Sequence, residues 1–449
     1  MNQAIARQTH SADTDPLARL SAATDTGHMQ RLLAGRWRWA ANRDLVVRNV
    51  EVHRVFPRGE ASFVVKYLVT LDDDGKPRQQ TLFGELQPGD ATTARQAVLD
   101  KLRKSRRKQI DRLDDSDAIE AVPELGMLLR IPGYDEKLPG LSLLHQPKRA
   151  RRLFRERLPQ HWGPFDRQPR LEILNHRPAK RCVMRAWVDT AGRRSVVLRS
   201  LNDKRRRHQD NRYYMQMLWE AGFDGAGDDD IRIPRPLFCD DRLAVIAIED
   251  IPNAVMLNGE SGLSLSREAA MAGEALAKLH GTRCLLPSRY GADEELAMLE
   301  KWTVLTQRLR PELAAMLDWA LKLVRHQLYH LPTVPACPVH RDYYGKQLLF
   351  DGRQTILIDF DTLCMGDPAI DIGNYLAHRR FEIASGQLGW HDVSTCFLSG
   401  YEQRRPFPLE DAILAWENAA LLRLACLYAL HTGWEAVSGA LLTSIREGI

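Results

Sequence analysis

Two short apolar runs in the C-terminal half of the chain, Leu348–Phe350 and Ile356–Ile358, constrain the fold most strongly. The residues between them include Asp351-Gly352, a pair that favours the tight turn of a β-hairpin. If the runs pair as antiparallel strands, Gln347 before the first run and Asp359 after the second lie at the same end. The sequence therefore predicts a hairpin that places an amide and a carboxylate side by side.

A second carboxylate lies just before the hairpin, in the segment His340-Arg341-Asp342. Phosphoryl transfer from a magnesium nucleotide needs little covalent chemistry from a protein. It needs one carboxylate that takes the proton of the acceptor hydroxyl, and oxygen ligands for Mg²⁺. Asp342 can act as that base, while the Asp359 carboxylate and the Gln347 carbonyl oxygen can hold the cation. A kinase is therefore the first hypothesis.

The order and spacing of these motifs resemble the catalytic loop of the aminoglycoside phosphotransferase and choline kinase family. That family has the pattern HxDxxxxN, then an apolar strand that ends in Ile-Asp, then GxxxxD. The chain has His340 and Asp342 for the first element, Asp359 for the second, and Gly366 and Asp371 for the third. Three spaced elements are more specific than a single His-x-Asp, which is most often a hydrogen-bonded surface pair.

The resemblance implies a role for each matched residue. It makes Asp342 the catalytic base, Gln347 and Asp359 the metal ligands, and Asp371 a buried acid that fastens the catalytic loop. The family usually has Asn at the position of Gln347. Glutamine keeps the amide oxygen but adds a methylene, so a bound metal would sit differently.

Two residues beside these motifs have their own interpretations. Asp361 is either a second metal-facing acid or an exposed carboxylate at a strand end. His340 is expected to pack as a structural histidine rather than to transfer protons, because Asp342 already fills that role.

A β-rich segment over residues 170–250 resembles the small lobe that covers the nucleotide in the kinase fold. In that fold the third strand carries a lysine that grips the α- and β-phosphates, and the equivalent residue here is Arg199. Arginine keeps the positive charge but is longer and planar. Glu220 is either its acidic partner or a solvent-facing residue. Backbone groups from Glu249 to Ile251 are expected to hydrogen-bond an adenine at the hinge.

The resemblance implies an α+β chain with the bilobal protein-kinase-like fold and an additional N-terminal α+β cap domain. The expected boundaries are a flexible tail over 1–27, the cap over 28–150, a small antiparallel β lobe over 151–252, and a large helical lobe over 253–449. A cap before the small lobe is similar to the arrangement in bacterial maltokinase-type enzymes. Strands in the cap echo those of the small lobe, either as a degenerate repeat or as a meander of separate origin.

Composition narrows the class of protein. The 449 residues carry a net charge of only +5, but basic runs at 101–108, 148–157 and 204–208 either bind anions such as nucleic acid or lie on solvated surfaces. No apolar stretch is long enough to span a bilayer, and the polar N-terminus is not a secretory signal. Seven cysteines without a Cys-x-x-Cys pair favour a reducing cytoplasm over a disulfide framework or a zinc site.

The sequence thus predicts a cytoplasmic phosphotransferase that uses ATP and Mg²⁺ and transfers the γ-phosphoryl group to a hydroxyl of a small molecule, a sugar or an amino-sugar. One alternative is a pseudokinase or nucleotide-binding module without turnover, which the unusual Gln347 and Arg199 favour. Another is a nucleic-acid-associated protein, which the basic runs favour although no nucleic-acid module is recognisable. We expect no nucleic-acid or membrane partner, and the oligomeric state stays open.

Overall fold

The computed structural model describes residues 15–36, 46–58, 62–73, 75–87, 89–105, 118–159, 162, 169–188, 194–202, 207–387 and 393–446. The chain divides into two compact units. Unit 1 consists of residues 1–137, 176–180 and 430–432, and unit 2 of residues 138–175, 181–429 and 433–449. The domain boundaries expected from the sequence stay predictions.

Helices and strands are mixed along the chain, which confirms the predicted α+β class. The helices are α1 Pro16–Thr24, α2 Thr26–Arg36, α3 Ala91–Ser105, α4 Ser142–His145, α5 Pro147–Arg157, α6 Arg207–Glu220, α7 Leu265–His280, α8 Ala292–Leu309, α9 Ala314–Tyr329, α10 Ala369–Ala384, α11 Ser394–Glu402, α12 Glu410–Tyr428 and α13 Glu435–Thr443. The strands are β1 Val46–Pro57, β2 Phe63–Asp73, β3 Lys76–Leu86, β4 Ile119–Val122, β5 Met127–Arg130, β6 Arg170–Arg177, β7 Arg181–Trp187, β8 Ser195–Leu201, β9 Ile231–Arg232, β10 Pro236–Asp240, β11 Val245–Glu249, β12 Val255–Met256, β13 Cys337–Val339, β14 Leu348–Phe350, β15 Thr355–Leu357 and β16 Cys364–Gly366.

Unit 1 is built on a five-stranded antiparallel sheet with the strand order β1-β2-β3-β5-β4. Its three long strands, β1 to β3, lie where the apolar alternation of the sequence predicts them. The Pro and Gly content of residues 127–141 predicts an irregular connector, but strand β5 forms over the first four of them. All four of its residues are buried, and Pro132, which has no backbone N–H to donate, follows its end.

The first helix lies within the predicted flexible tail. Asp15 accepts a hydrogen bond from a backbone N–H of the first turn, and Pro16 occupies the first helical position. Leu20 and Ala23 are fully buried, so apolar burial offsets the entropy that ordering this segment loses. The tail prediction is therefore wrong for this helix, and residues 1–14 lie outside the described part of the chain.

The first sheet of unit 2 has five strands in the order β10-β11-β8-β7-β6. Along β7, buried side chains alternate with half-buried ones. Because alternate residues of a strand share a face, Arg181 lies on the same face as Val183. Val183 is the cross-strand partner of Arg199 on β8. Arg181 and Arg199 are therefore diagonal neighbours on one face of this sheet.

The sequence over residues 231–239 predicts a single strand, but the structure divides this segment between two sheets. Strand β9 pairs in parallel with β15, whereas β10 pairs antiparallel with β11. Pro234 and Pro236 lack the backbone N–H that a continuous ladder requires. The single-strand prediction is wrong for this reason.

The predicted hairpin is present in unit 2. Strands β14 and β15 pair antiparallel, with Leu348 opposite Leu357. Gly352 in the turn has a φ of 94°, a conformation that glycine adopts without a steric penalty. Beyond the strands, the Ile358 N–H donates to the Gln347 carbonyl at 3.0 Å. The hairpin therefore brings Gln347 next to the residue that precedes Asp359.

The remainder of unit 2 is mostly helical and packs around one large apolar core. Unit 2 thus has the sheet-then-helices order of the expected bilobal fold. The sequence offers Ser266 as the N-terminal cap of helix α7, but the cap lies two residues earlier: the Ser264 hydroxyl accepts the Arg267 N–H at 3.2 Å. Among the helices of the described residues, none combines the length and the apolar content that crossing a bilayer requires.

Two glycines let α7 and α11 approach closely. A Cβ added at Gly273 would lie 2.0 Å from the Phe397 carbonyl oxygen, and one at Gly400 would lie 2.1 Å from that of Ala270. Both distances are far shorter than van der Waals contact, and both neighbours are backbone atoms. The spacing of these two helices therefore depends on glycine at both positions.

We expect Gly273→Ala to destabilise the protein by about 1–3 kcal/mol or more, because the helices must separate to admit the methyl group. Gly439→Ala on α13 is the matched control. A Cβ there meets no atom within 4 Å, so alanine should leave stability unchanged or raise it by about 0.5–1 kcal/mol. Thermal unfolding of both variants measures the difference, and equal stabilities would show that α7 and α11 adjust freely.

The basic runs noted in the sequence are described only in part. The run at 148–157 lies on α5, which buries Ala150, Leu153 and Phe154 and leaves its basic side chains mostly exposed. That pattern is the amphipathic one of a solvated helix face. Residues 106–108 and 204–206 of the other two runs lie outside the described residues.

Candidate functional site

The predicted catalytic loop is held by one buried carboxylate. Asp371, at the start of α10, is fully buried and accepts the backbone N–H groups of His340 and Arg341, each at 2.6 Å. His280 Nε2 lies 3.0 Å from the same carboxylate, and its Nδ1 lies 2.8 Å from the Tyr401 hydroxyl. These contacts tie the loop to α7, α10 and α11. They are the contacts that a loop-fastening acid requires.

Asp342 and Gln347 lie side by side in the loop. The Gln347 Nε2 donates to Asp342 Oδ2 at 3.3 Å, so the amide oxygen of Gln347 can accept from another donor or bind a cation. Asp342 is half-buried and Gln347 is buried. A half-buried carboxylate can meet a substrate hydroxyl while it stays fixed by its neighbours.

A second set of contacts, made by Asn374 and Arg423, stabilises the catalytic loop. Asn374 donates to the Tyr343 carbonyl at 2.9 Å, and Arg423 contacts the Asn374 side-chain oxygen and donates to Glu295 at 2.8 Å. Burial would lower the pKa of Arg423, but Glu295, Tyr290 and the nearby Asp342 raise it above its usual value. Arg423 therefore contributes fixed positive charge near the catalytic carboxylate.

His340 is fully buried beside the loop. Its Nε2 lies 2.9 Å from the Ile358 carbonyl oxygen, and its ring lies near those of Tyr343 and Phe360, at centroid distances of 5.9 and 5.6 Å. This environment is that of a packed histidine which links the catalytic loop to the turn before Asp359. The structural role of His340 stays a prediction.

The second acidic turn forms an ion-pair cluster with two arginines of the small sheet. Asp359 Oδ1 accepts from Arg181 at 2.7 Å and from Arg199 at 2.8 Å. Asp361 accepts from Arg199 at 2.6 Å and also contacts Arg181. We call Arg181, Arg199, Asp359 and Asp361 the four-charge cluster. Its side chains are only 6–22% exposed, so the charges interact more strongly than a surface pair.

The four-charge cluster shifts the pKa values of Asp359 and Arg181. Burial alone would raise the pKa of Asp359, but Arg199 and Arg181 more than offset this and hold that pKa well below its usual range. Burial would lower the pKa of Arg181, whereas Asp359 and Asp361 raise it above its usual value. Asp359 and Arg181 are therefore both ionised at neutral pH.

Two residues of the site have an unusual backbone conformation. Arg341 has a φ of 69° and Asp359 a φ of 67°, a left-handed region that side chains other than glycine rarely adopt. Such conformations persist only where surrounding contacts enforce them, and they concentrate at functional sites. Here the contacts of Asp371 and of the two arginines enforce them.

The structure decides between the two interpretations of Glu220 and adds one residue to the site. Glu220 is exposed and accepts from the Gln216 side chain at 2.7 Å, so it is the solvent-facing residue of the two alternatives. Arg199 pairs with Asp359 and Asp361. Sequence analysis does not identify Arg181. The alternation along β7 places Arg181 on the face of Val183, and the register of β7 with β8 places that face beside Arg199.

The predicted hinge has a fixed backbone. The Glu249 N–H donates to the Arg235 carbonyl at 2.9 Å, and the Ile251 carbonyl accepts from Ala254 at 3.1 Å. The Glu249 carboxylate accepts from Arg232 at 2.8 Å and faces a cavity of about 390 Å³ within unit 2. The role of Glu249 and Ile251 in binding adenine stays a prediction, and among the described backbone hydrogen bonds outside helices and strands none uses the Ile251 N–H.

The acidic turn suits a magnesium ion by its donor chemistry. Asp359, Asp361 and Gln347 offer carboxylate and amide oxygens, which are the ligands Mg²⁺ prefers, and Mg²⁺ usually keeps several waters or phosphate oxygens besides one or two carboxylates. The two carboxylates also attract two guanidinium groups in this structure, so positive charge is stabilised there. In the described part of the chain, no three or more His, Cys, Asp or Glu side chains group as a metal site.

Residues 185–407 match the family model described as the phosphotransferase enzyme family. This segment includes Arg199, the catalytic loop and the acidic turn. It belongs to the phosphotransferase enzyme family. The predicted family, and with it an ATP-dependent phosphotransferase that acts on hydroxyl groups, is confirmed for this segment. The match does not reach the N-terminal cap, so the likeness to maltokinase-type enzymes stays a prediction.

Solved structures with similar folds include kinases of two substrate classes. A choline/ethanolamine kinase family protein from Mesorhizobium loti is 18% identical, with a TM-score of 0.45, over 66% of this chain and 99% of that one. The choline kinase LicA from Streptococcus pneumoniae is 14% identical, with a TM-score of 0.45, over 66% and 91%. The ADP-bound aminoglycoside phosphotransferase APH(2'')-Ib is 14% identical, with a TM-score of 0.41, over 62% and 94%. No curated protein sequence matches the chain.

Proposed function

We propose that the phosphotransferase domain is a small-molecule kinase that transfers the γ-phosphoryl group of ATP to a hydroxyl of a sugar or amino-sugar. The observation that carries this proposal is the convergence of Asp342, Gln347 and the Asp359 turn at the open end of one hairpin. Phosphoryl transfer is catalysed mainly by positioning and by electrostatic stabilisation, and this arrangement supplies both.

Asp342 is the proposed catalytic base. Its carboxylate is half-buried, is held by Gln347, and lies on a loop that Asp371 fixes through two backbone hydrogen bonds. Because the loop cannot shift freely, the carboxylate stays oriented toward the acceptor hydroxyl. It accepts the hydroxyl proton as the oxygen attacks the phosphorus.

The nucleotide phosphates are proposed to bind Arg199 and Arg181. Each guanidinium has several N–H donors and binds phosphate oxygens in a fixed fork geometry. Asp359 and Gln347, with Asp361 as a further candidate, would hold Mg²⁺, which when bound neutralises charge on the phosphates. With the nucleotide bound, Arg181 and Arg199 would pair with phosphate oxygens in place of the carboxylates. Their positive charges would therefore have anionic partners with and without the nucleotide.

The proposed place of action is the reducing cytoplasm. All seven cysteines are free thiols, and burial raises the pKa of Cys337 to about 12. A thiol with such a pKa is a poor nucleophile at neutral pH. The cysteines near the site therefore serve as small packing residues rather than as catalysts.

A metabolite-pool screen tests the function directly. The full-length protein is incubated with ATP, Mg²⁺ and a small-molecule extract, and products are identified by mass spectrometry from the added phosphoryl group. We expect a phosphorylated sugar or amino-sugar to accumulate with the wild-type protein and not with Asp342→Asn. A product of another class, such as an amino-alcohol phosphate, would keep the kinase and overturn the acceptor class.

A second candidate is a nucleotide-binding module without turnover. One observation favours it: Arg181 and Arg199 both pair with Asp359 and Asp361, so the predicted metal ligands already have cationic partners. This candidate predicts that ATP binds equally well with and without Mg²⁺ and that no product forms in the screen. The kinase predicts the opposite for both measurements.

Arg181→Gln is expected to weaken binding of magnesium ATP by about 10–100-fold, because a hydrogen bond to a charged group contributes about 1.5–3 kcal/mol. Glutamine keeps much of the length of the side chain but removes its charge. Calorimetric titration with ATP and Mg²⁺ gives the dissociation constant. Arg353→Gln is the control, since Arg353 is 80% exposed and pairs with Asp230. Equal affinities of the two variants would remove Arg181 from the nucleotide site.

A further inference from the structure

One group of four positively charged or protonatable side chains in unit 1 is called the basic cluster. Its members are His53, Arg54, Lys66 and His431. Arg54 on β1 and Lys66 on β2 are direct cross-strand partners. Side chains in that position lie about 4.5–5.5 Å apart at Cβ, and like charges there destabilise a sheet. The sheet thus places two repelling charges together, which calls for a compensating negative charge.

The two histidines are fixed beside this pair. The pairing of β1 with β2 is irregular between Val52 and Arg54, and such bulges re-aim the side chain of the extra residue, here His53. The Val52 N–H donates to the Thr432 hydroxyl at 3.1 Å, and the Thr432 N–H donates to the Val52 carbonyl at 3.2 Å. These bonds hold His431 against His53, with their rings stacked at a centroid distance of 6.3 Å.

The electrostatic environment of the cluster is positive. Burial, followed by the charges of Arg54 and His53, lowers the pKa of His431 to about 3. Burial and the Arg54 charge also lower the pKa of Lys66. The Arg54 charge therefore lies within electrostatic range of both His431 and Lys66.

Elsewhere on the sheet of unit 1, carboxylates neutralise the charge of a buried arginine. Arg130 donates to Glu85 at 2.8 Å and to Glu136 at 3.0 Å. At the basic cluster the described residues provide no such carboxylate: neither Arg54 nor Lys66 forms an ion pair with them, and the buried Arg54 Nε has no acceptor. An uncompensated charge or an unpaired donor in such a place costs free energy. Among the described residues, Arg54 and Lys66 are therefore without an anionic partner.

A small buried apolar group lies next to the cluster. It consists of Phe56, Val64 and Phe83, and the guanidinium carbon of Arg54 lies 5.4 Å from the centroid of the Phe56 ring. Residues 54 and 56 lie on the same face of β1 because they are two positions apart. The Phe56 ring thus supports the Arg54 side chain at the cluster.

We propose that the basic cluster binds an oxyanion of the phosphate class, carried by a small molecule. Arg54 and Lys66 donate to the oxyanion, and the two imidazoles border it. Four side chains match one phosphate group rather than the extended backbone of a nucleic acid. The site lies in unit 1 and uses none of the residues assigned to phosphoryl transfer, so it stands whether or not the proposed kinase activity does.

Inorganic phosphate tests the site in the full-length protein. Its dissociation constant is measured by equilibrium dialysis, and its effect on the unfolding temperature is compared with that of sodium chloride at the same ionic strength. We expect phosphate, but not chloride, to raise the unfolding temperature by about 2–5 °C. Arg54→Gln and Lys66→Gln should each weaken phosphate binding by about tenfold or more, and each should raise the unfolding temperature in the absence of phosphate, because a repelling charge is removed.

Two variants serve as controls. Arg78→Gln removes an exposed cation from β3 of the same sheet and should bind phosphate like the wild type. Arg199→Gln should also keep this phosphate response, which separates the basic cluster from the nucleotide site. The proposal is overturned if chloride gives the same shift as phosphate, if both cluster variants keep wild-type affinity, or if Arg199→Gln abolishes the response. Should Arg54→Gln fail to fold, Lys66→Gln alone decides the outcome.

Discussion

Asp342→Asn is expected to lower kcat for phosphoryl transfer by about 10²–10⁴-fold, the usual contribution of a positioned general base, while ATP binding is retained. Asparagine has nearly the same shape and keeps an oxygen for the 3.3 Å hydrogen bond from Gln347. It cannot accept the proton of the acceptor hydroxyl. Steady-state kinetics with the acceptor from the metabolite screen measure kcat, and calorimetry measures the affinity for ATP.

A matched substitution on the surface controls for this prediction. Asp230 has a φ of 50° and pairs with the exposed Arg353 at 3.2 Å. Asparagine tolerates that conformation, so Asp230→Asn should leave kcat unchanged. If Asp342→Asn retained wild-type kcat, the catalytic base would be another group. If it lost ATP binding, its role would be in the nucleotide site.

Asp371→Ala is expected to destabilise the phosphotransferase domain by about 3–5 kcal/mol, as removal of one partner from a buried charged network usually does. The substitution leaves the N–H groups of His340 and Arg341 without their acceptor and removes the partner of His280. Each unsatisfied buried donor costs about 1–3 kcal/mol. Urea-induced unfolding followed by tryptophan fluorescence measures the loss.

The control for Asp371 is an acid on the surface. Asp318 pairs with Lys322 at 2.8 Å, and both side chains are more than half exposed. Asp318→Ala should therefore change stability by no more than about 0.5 kcal/mol. A loss below about 1 kcal/mol for Asp371→Ala would mean that the catalytic loop is held by other contacts, and the assignment of a loop-fastening role would be withdrawn.

The parts of the site that sequence reasoning could predict are those set by neighbours along the chain. The hairpin follows from two apolar runs and an Asp-Gly turn, and it places Gln347 next to the Asp359 turn as expected. The short distance between these residues in the sequence leaves few possible geometries. For the same reason, the burial of Asp371 beneath the loop agrees with the spacing of the third motif.

The parts that sequence reasoning missed depend on pairing between distant segments. Arg181 and Asp359 are separated by 178 residues, and only the register of β7 with β8 reveals that Arg181 shares a face with Arg199. Glu220 was a plausible partner by its position in a helix, but it is exposed. Which acid meets a given arginine is decided by tertiary packing, which no local pattern encodes.

In the N-terminal region too, local sequence predicts some elements, and contacts between distant segments decide others. The alternation of apolar residues predicts β1 to β3, whereas the helix over Pro16–Thr24 has a polar and Ala-rich sequence typical of a tail. That helix is stabilised by burial of Leu20 and Ala23, a contact made only in the folded unit. Likewise, the basic cluster joins His53, Arg54 and Lys66 to His431. The first three residues are far from His431 in the sequence and come together with it only in the folded unit 1.

The central claim is that Asp359, with its neighbours Asp361 and Gln347, forms the magnesium site of an ATP-dependent kinase. Calorimetric titration of ATP into the wild-type protein and into Asp359→Asn, each with and without Mg²⁺, tests it most directly. We expect Mg²⁺ to tighten ATP binding by about tenfold or more in the wild-type protein and to have no effect in the variant. Binding of ATP that is equally tight with and without Mg²⁺ in the wild-type protein would contradict the claim.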